Sequence, residues 1–213
     1  MSEIQDAFTN IYRTHSWRSS SRSGPGSEPK NTKRYRDVIE KLLRYHSIKT
    51  VVDVGCGDWA SSKLVDWGQV EYTGVDVVPD LVAHLNREFG NDKRRFIVGN
   101  LVEDELPSAD LCIVKDVLQH LSNASVHQFL RDQLPRFKCA LVTNDTRRIP
   151  LTHLLRPWKI KKANSDIASG ETRPLQLTRP PFSLRTELLG WYRLLIGQTI
   201  VEKEILLWER SKS

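Results

Sequence analysis

Val51-Val52-Asp53-Val54-Gly55-Cys56-Gly57-Asp58-Trp59, followed by Tyr72-Thr73-Gly74-Val75-Asp76, is the most informative part of this chain. A short apolar run ends in an acid and two closely spaced glycines. Nineteen residues after Gly57 a second apolar run ends in another acid. That spacing fits the first half of a doubly wound sheet: one strand delivers a Gly-rich turn to a ligand and the next carries a carboxylate to a ribose. Glycine has no Cβ, so the backbone can pass close to the ligand or take positive φ. Asp76, at a strand end, can accept hydrogen bonds from both ribose hydroxyls.

The acids around the turn separate two kinds of nucleoside ligand. A dinucleotide site has a third small residue after the turn and faces a pyrophosphate with a helix N-terminus. Ala60 is small enough, but Asp58 lies where the pyrophosphate would sit and repels it. Asp53 and Asp58 suit a ligand with an amino group or a sulfonium. Asp53-x-Gly55-x-Gly57 resembles motif I of the class I S-adenosylmethionine (SAM) methyltransferases.

The 213 residues suffice for one α/β domain with a full core. No apolar run approaches the about 18 residues of a membrane span, so no membrane insertion is expected. The N-terminus lacks a basic-then-apolar signal pattern, which points to the cytoplasm. Cys56, Cys112 and Cys139 are far apart in apolar segments and read as reduced core residues without metal-ligand spacing. The net charge of +6 favours anionic partners. The clusters Lys93-Arg94-Arg95, Arg147-Arg148 and Lys159 to Lys162 read first as solvated faces.

Residues 1–32 form an N-terminal arm rich in Ser, Gly, Arg and Pro. A short helix over Ile4 to Arg13 is compatible with it. The composition is that of a flexible tail, yet Tyr12 and Trp17 are apolar anchors that a tail does not need. Thr32 can cap a helix whose stripe is Val38, Leu42, Leu43 and Tyr45. Strands are expected at Thr50–Val54, Glu71–Asp76, Arg95–Val98, Ala109–Lys115 and Cys139–Asn144. Helices are expected at Ser61–Trp67, at Leu81–Phe89 with Asp80 as cap, and at Ser125–Leu134. Thr199–Val201 and Lys203–Trp208 read as strand. This alternation implies a parallel sheet with right-handed crossovers. Residues 145–182 hold several prolines and form a long connection, a kind of loop that is usually functional.

The fourth strand runs into Lys115-Asp116-Val117-Leu118-Gln119-His120-Leu121. Ligands of doubly wound folds sit at strand carboxyl ends, which brings Asp116 and His120 near a ligand held by Asp53 and Asp76. His120 is either a base for a hydroxyl or a structural residue of the loop. No metal constellation is visible; Asp116 and Asp145 could share a cation, but nothing in the spacing demands it.

Together these motifs resemble class I SAM methyltransferases, and more narrowly a group of small bacterial ones. In that group an N-terminal Trp and a Ser-Gly-Pro-Gly-Ser element precede the core and a late Asn-to-Arg element follows it. Here these are Trp17 with Ser23 to Ser27, and Asn164 to Arg173. The resemblance implies a doubly wound, mainly parallel seven-stranded Rossmann-like sheet with an antiparallel last strand, in a single domain over 33–213. SAM would be the cofactor and S-adenosylhomocysteine the product. Asp53, Gly55 and Gly57 would line the methionine end, Asp76 would bind ribose, and Val77, Asn100 and Leu101 would flank adenine. Asp116 and His120 would be catalytic. Trp17 would close over SAM as part of a lid, with Arg18 or Arg22 pairing the carboxylate. Asn144, Asn164, Asp166 and Arg173 would contact the acceptor, covered by 145–182. Asn100 stands where relatives often have Asp, Lys115 where the group often has Arg, and Asn144 where it tends to have Thr.

The expected reaction is methyl transfer to a hydroxyl of a small molecule or glycan. A nucleic-acid acceptor, favoured by the charge, an N-methyl acceptor, and a non-catalytic SAM-binding scaffold are the rivals. A nicotinamide oxidoreductase is disfavoured by Asp58.

Overall fold

The computed structural model describes residues 2–151 and 162–210. The chain alternates helices α1 (Glu3–Thr14), α2 (Lys33–Tyr45), α3 (Pro79–Phe89) and α4 (Asn123–Gln128) with strands. The strands are β1 (Thr50–Val54), β2 (Glu71–Asp76), β3 (Arg94–Val98), β4 (Leu111–Lys115), β5 (Cys139–Pro150), β6 (Glu187–Ile196) and β7 (Thr199–Glu209). They form one sheet in the order β3-β2-β1-β4-β5-β7-β6. The first five are mutually parallel, and β7 runs antiparallel to both β5 and β6. This is the Rossmann-like methyltransferase architecture with its antiparallel last strand. No helix among the described residues is long and apolar enough to cross a membrane.

The central strands are buried on both faces, as parallel strands covered by helices must be. Val51, Val52 and Val54 of β1, and Leu111 to Val114 of β4, are all buried. The chain moves outward from β1 to β3 and then returns to β4 on the other side. A crevice therefore opens at the carboxyl ends of β1 and β4, where the strand order reverses.

Several elements depart from what the sequence implies. Ser61–Trp67 is no helix, only a 3-10 turn over Ser62–Leu64. The Trp67 indole Nε1 donates to the Ser62 carbonyl at 2.8 Å, occupying an acceptor that a longer helix needs. Ser125–Leu134 divides into α4, a π turn over Phe129–Gln133 and a 3-10 turn at Leu134–Arg136 that holds Pro135. Val78, not Asp80, is the N-cap of α3, and Pro79 opens the helix. Tyr45 is exposed, and α2 instead buries Tyr35, Ile39 and Leu42.

The long connection begins later than Asp145, because β5 continues to Pro150 against the full length of β7. Strand β6 was not expected from local pattern. It is an edge strand whose order comes from pairing with β7. Lys159 to Lys161 of one basic cluster lie outside the described residues.

Phe129 is completely buried in the π turn beneath β4 and β5. Phe129→Ala is expected to lower the unfolding free energy by about 3–5 kcal/mol in chemical denaturation, because the neighbouring side chains close the void only partly.

Candidate active site

The turn after β1 depends on two glycines in the left-handed region, Gly55 at φ +68° and Gly57 at φ +58°. A Cβ on Gly55 would collide with Val117, and one on Gly57 with the Ser23 hydroxyl. The Gly55 and Cys56 amides donate to the Val75 carbonyl at 2.7 and 3.1 Å, tying the turn to β2. Asp76 accepts from the Gly57 amide at 3.0 Å and the Val78 amide at 3.1 Å. Burial nevertheless pushes its carboxyl up to about 6, against these amide bonds. Asp53 accepts from the Tyr72 hydroxyl at 2.6 Å and from Ser62 at 3.1 Å. Burial raises its pKa too, partly offset by those two hydroxyls.

The N-terminal arm lies across this turn. The Ser21 hydroxyl and the Arg22 amide donate to the Asp58 carboxylate at 2.9 and 2.8 Å. The Asp58 amide in return donates to the Ser23 hydroxyl at 2.8 Å, and Ser23 also meets the Tyr12 hydroxyl at 2.5 Å. Lys115 donates to the Gly26 carbonyl at 2.9 Å. Arm and turn together line a cavity. Its walls combine apolar Ile4, Phe8, Val77 and Leu101 with polar Asp53, Ser61, Asp76 and Lys115. The Ser61 hydroxyl is buried there with no hydrogen-bond partner.

A second cavity adjoins the first and shares Trp17, Ser23 and Asp116 in its wall. His120 lines it. The His120 Nδ1 lies 2.9 Å from the Glu171 carbonyl oxygen, which can only accept, so Nδ1 carries the proton and Nε2 the lone pair. Burial lowers the His120 pKa below its ordinary value, against the carbonyl and the nearby Asp145 and Asp116. The ring stands 5.8 Å from that of Trp17.

Beneath the cavity the charges alternate. Asp116, held at φ +58°, receives Lys115 at 2.6 Å and Lys203 at 2.5 Å. Lys203 also meets Asp145, and Asp145 meets Arg148. Burial alone would raise the Asp116 carboxyl, but the two ammoniums hold it below the usual range. Burial alone would lower the Lys203 ammonium, but the two carboxylates raise it.

The O-methyltransferase domain family matches residues 7–140, well over half of the chain. The chain belongs to this family. It is a SAM-dependent methyltransferase. Solved structures carry the same fold. The N-methyltransferase NodS from Bradyrhizobium japonicum WM9, in complex with S-adenosyl-L-homocysteine, superposes at a TM-score of 0.61 with 10% identity, over 96% of this chain and 99% of that one. The magnesium protoporphyrin IX methyltransferase ChlM from Synechocystis PCC 6803, with bound S-adenosylhomocysteine, gives 0.61 at 15% identity over 84% and 83%. The small RNA methyltransferase HEN1 gives 0.57 at 17% identity over 85% of this chain and 25% of that one. None of the curated proteins compared matches the chain.

Within this methyltransferase the residues singled out from sequence fall into three groups. Asp53, Gly55, Gly57, Asp76, Val77, Leu101, Asp116 and Trp17 all line the first cavity. His120 and Asp116 line the second. The others lie outside both cavities. Arg18 and Arg22 have exposed side chains, and Arg22 donates from Nε to His15 at 3.0 Å. The Asn100 amide is turned to its own loop and the arm, accepting from the Val102 amide and donating to Ser2. Asn144 is buried in β5.

The late element is a staple. Asn164 bonds the backbone of Gln176 and Pro180, and Asp166 accepts from the Asn123 amide. Arg173 is fully buried and donates to the Leu118 carbonyl and Asn123. These polar side chains fasten residues 164–173 to the loop after β4 and so carry the Glu171 carbonyl to His120. They were expected at the acceptor because polarity alone does not distinguish a ligand contact from a backbone tie.

Sequence reasoning missed Lys203. The available signal was a lysine at an inward position of β7, between buried Val201 and Ile205. The cation that Asp116 and Asp145 share is the Lys203 ammonium. Lys203→Met is expected to cost about 3–5 kcal/mol of stability in denaturant titration, because two buried carboxylates lose their common partner.

Proposed function

We propose that this methyltransferase moves the methyl group of SAM to a hydroxyl of a small molecule or glycan bound in the second cavity. The observation that carries the reading is the shared wall: Trp17, Ser23 and Asp116 border both cavities, and His120 stands in the second with its tautomer fixed.

The first cavity suits an amphiphilic nucleoside with an amino-acid tail. Asp76 would take the ribose hydroxyls, Val77 and Leu101 the adenine faces, and Asp53 with the orphaned Ser61 hydroxyl the methionine end. SAM supplies an already activated methyl when bound. The protein aligns the acceptor and excludes water. Residues 1–32 act as the lid, since Asp58 bonds Ser21, Arg22 and Ser23 of that segment. The His120 Nε2 would accept the hydroxyl proton while the methyl carbon exchanges its bond to the sulfonium for one to the oxygen, with S-adenosylhomocysteine as the leaving thioether. Asp116 and Asp145 lie close enough to favour the resulting imidazolium. An amine acceptor is less well served, because both carboxylates of the second cavity are already paired with cations. The net charge of +6 is the feature that suits a nucleic-acid acceptor instead.

At saturating SAM, His120→Gln is expected to lower kcat by about 10²–10⁴. The wild-type rate should rise with pH along a limb below 6.5, as the imidazole loses its proton, and the variant should lack that limb. A normal rate in the variant returns His120 to a structural role. SAM affinity, read by calorimetry, should weaken as pH falls through about 6, where Asp76 takes up a proton and loses acceptor capacity. Asp76→Asn should bind weakly with a flat profile, and unchanged affinity would sink the ribose assignment.

A further inference from the structure

A row of paired charges runs from the first cavity, whose wall includes Lys115, into the second, whose wall includes Asp116, Lys203, Asp145 and Arg148. Lys115, Lys203 and Arg148 supply three cations, and Asp116 and Asp145 two carboxylates, in one connected row. His120 faces them as a neutral ring. One positive charge is left over, and the donors show where. Lys115 directs its protons to Asp116, the Gly26 carbonyl and Ser27. Lys203 is fully buried between its two acids. Both Asp145 oxygens are occupied, one by Lys203 and one by Arg148.

Arg148 differs from the two lysines. It uses one guanidinium nitrogen on Asp145 and has no other side-chain partner among the described residues. Its side chain is 34% exposed and lines the cavity together with His120, Thr172 and Trp17. Asp145 thus anchors a planar fork whose remaining N–H groups have no partner among the described residues. A guanidinium of this kind recognises planar or tetrahedral oxyanions at two points.

We propose that the acceptor is a small hydroxyl compound that also carries an oxyanion, held by Arg148 while its hydroxyl lies at His120. This rests on the second cavity being the acceptor site. The Trp17 and Ile196 side chains in its wall give a ring, aromatic or sugar, an apolar surface to lie on. Arg148 sets specificity by affinity, and His120 sets rate.

The test is calorimetry on the full-length protein saturated with S-adenosylhomocysteine. Two matched pairs serve as probes: 4-hydroxybenzoate with 4-hydroxybenzamide, and glucuronate with glucose. In at least one pair the anion should bind at least about tenfold more tightly than its neutral counterpart, the scale of a charge-assisted hydrogen bond. The pair that shows the preference tells an aromatic from a sugar scaffold. Arg148→Gln should reduce that ratio to near one, and Arg148→Lys should leave an intermediate value because it keeps charge without the fork. S-adenosylhomocysteine affinity, measured on each variant, certifies that the fold is intact.

Equal binding within both pairs, no binding of any probe, or a preference that survives Arg148→Gln overturns the proposal. So does binding of a short RNA where neither acid binds. The turnover test on His120 is separate. If His120→Gln keeps its rate while the Arg148-dependent preference stands, the base assignment fails and the anion site remains.

Discussion

A single ammonium joins three strands at the heart of this molecule. Lys203 comes from β7, Asp145 from its cross-strand position on β5, and Asp116 from the end of β4. All three charges are withdrawn from bulk water, which is tolerable only because each is paired with opposite charge at hydrogen-bond distance. The pairing holds Asp116 in a left-handed conformation that a non-glycine residue seldom adopts. Asp116 then serves as the wall between the two cavities, and Lys115 beside it reaches the arm at Gly26. Sheet, cavities and arm meet at this network.

The arm adds a further wall to an open crevice. Doubly wound sheets leave their ligand sites at the strand ends open to solvent. Here α1 contributes Ile4, Phe8 and Tyr12 to the cavity, and the segment after it contributes Trp17 and Ser23. No single contact of the arm is strong. Its hold comes from several bonds converging on Asp58 and from a close approach to Gly57 that any side chain would prevent. The glycine that shapes the turn thus also makes room for the arm. Methyl transfer needs dry, aligned reactants more than it needs chemical groups, and an added wall answers that need.

The sites were unevenly legible. Asp53, Gly55, Gly57 and Asp76 come together at one cavity because they sit at fixed distances on two consecutive strand-turn units. Local spacing there equals spatial arrangement. Asn164, Asp166 and Arg173 make loop ties, since a polar side chain on a loop has two uses and backbone satisfaction is the commoner one. Lys203 and Arg148 stayed hidden because their meaning depends on which strands become neighbours. Asp145 and Lys203 are far apart in sequence and become directly opposed only in the β5–β7 ladder.

By itself the sequence determined the doubly wound order of strands and helices, the glycine turn, and the acid that ends the second strand. Each follows from hydrophobic period and short-range spacing, which local sterics enforce. The tertiary structure alone decided that the Ser-rich arm is folded over the turn, that β5 and β6 extend as they do, and that five alternating charges gather under the second cavity. Those features arise from pairings between distant segments, and their energies exist only once the sheet has brought the segments together.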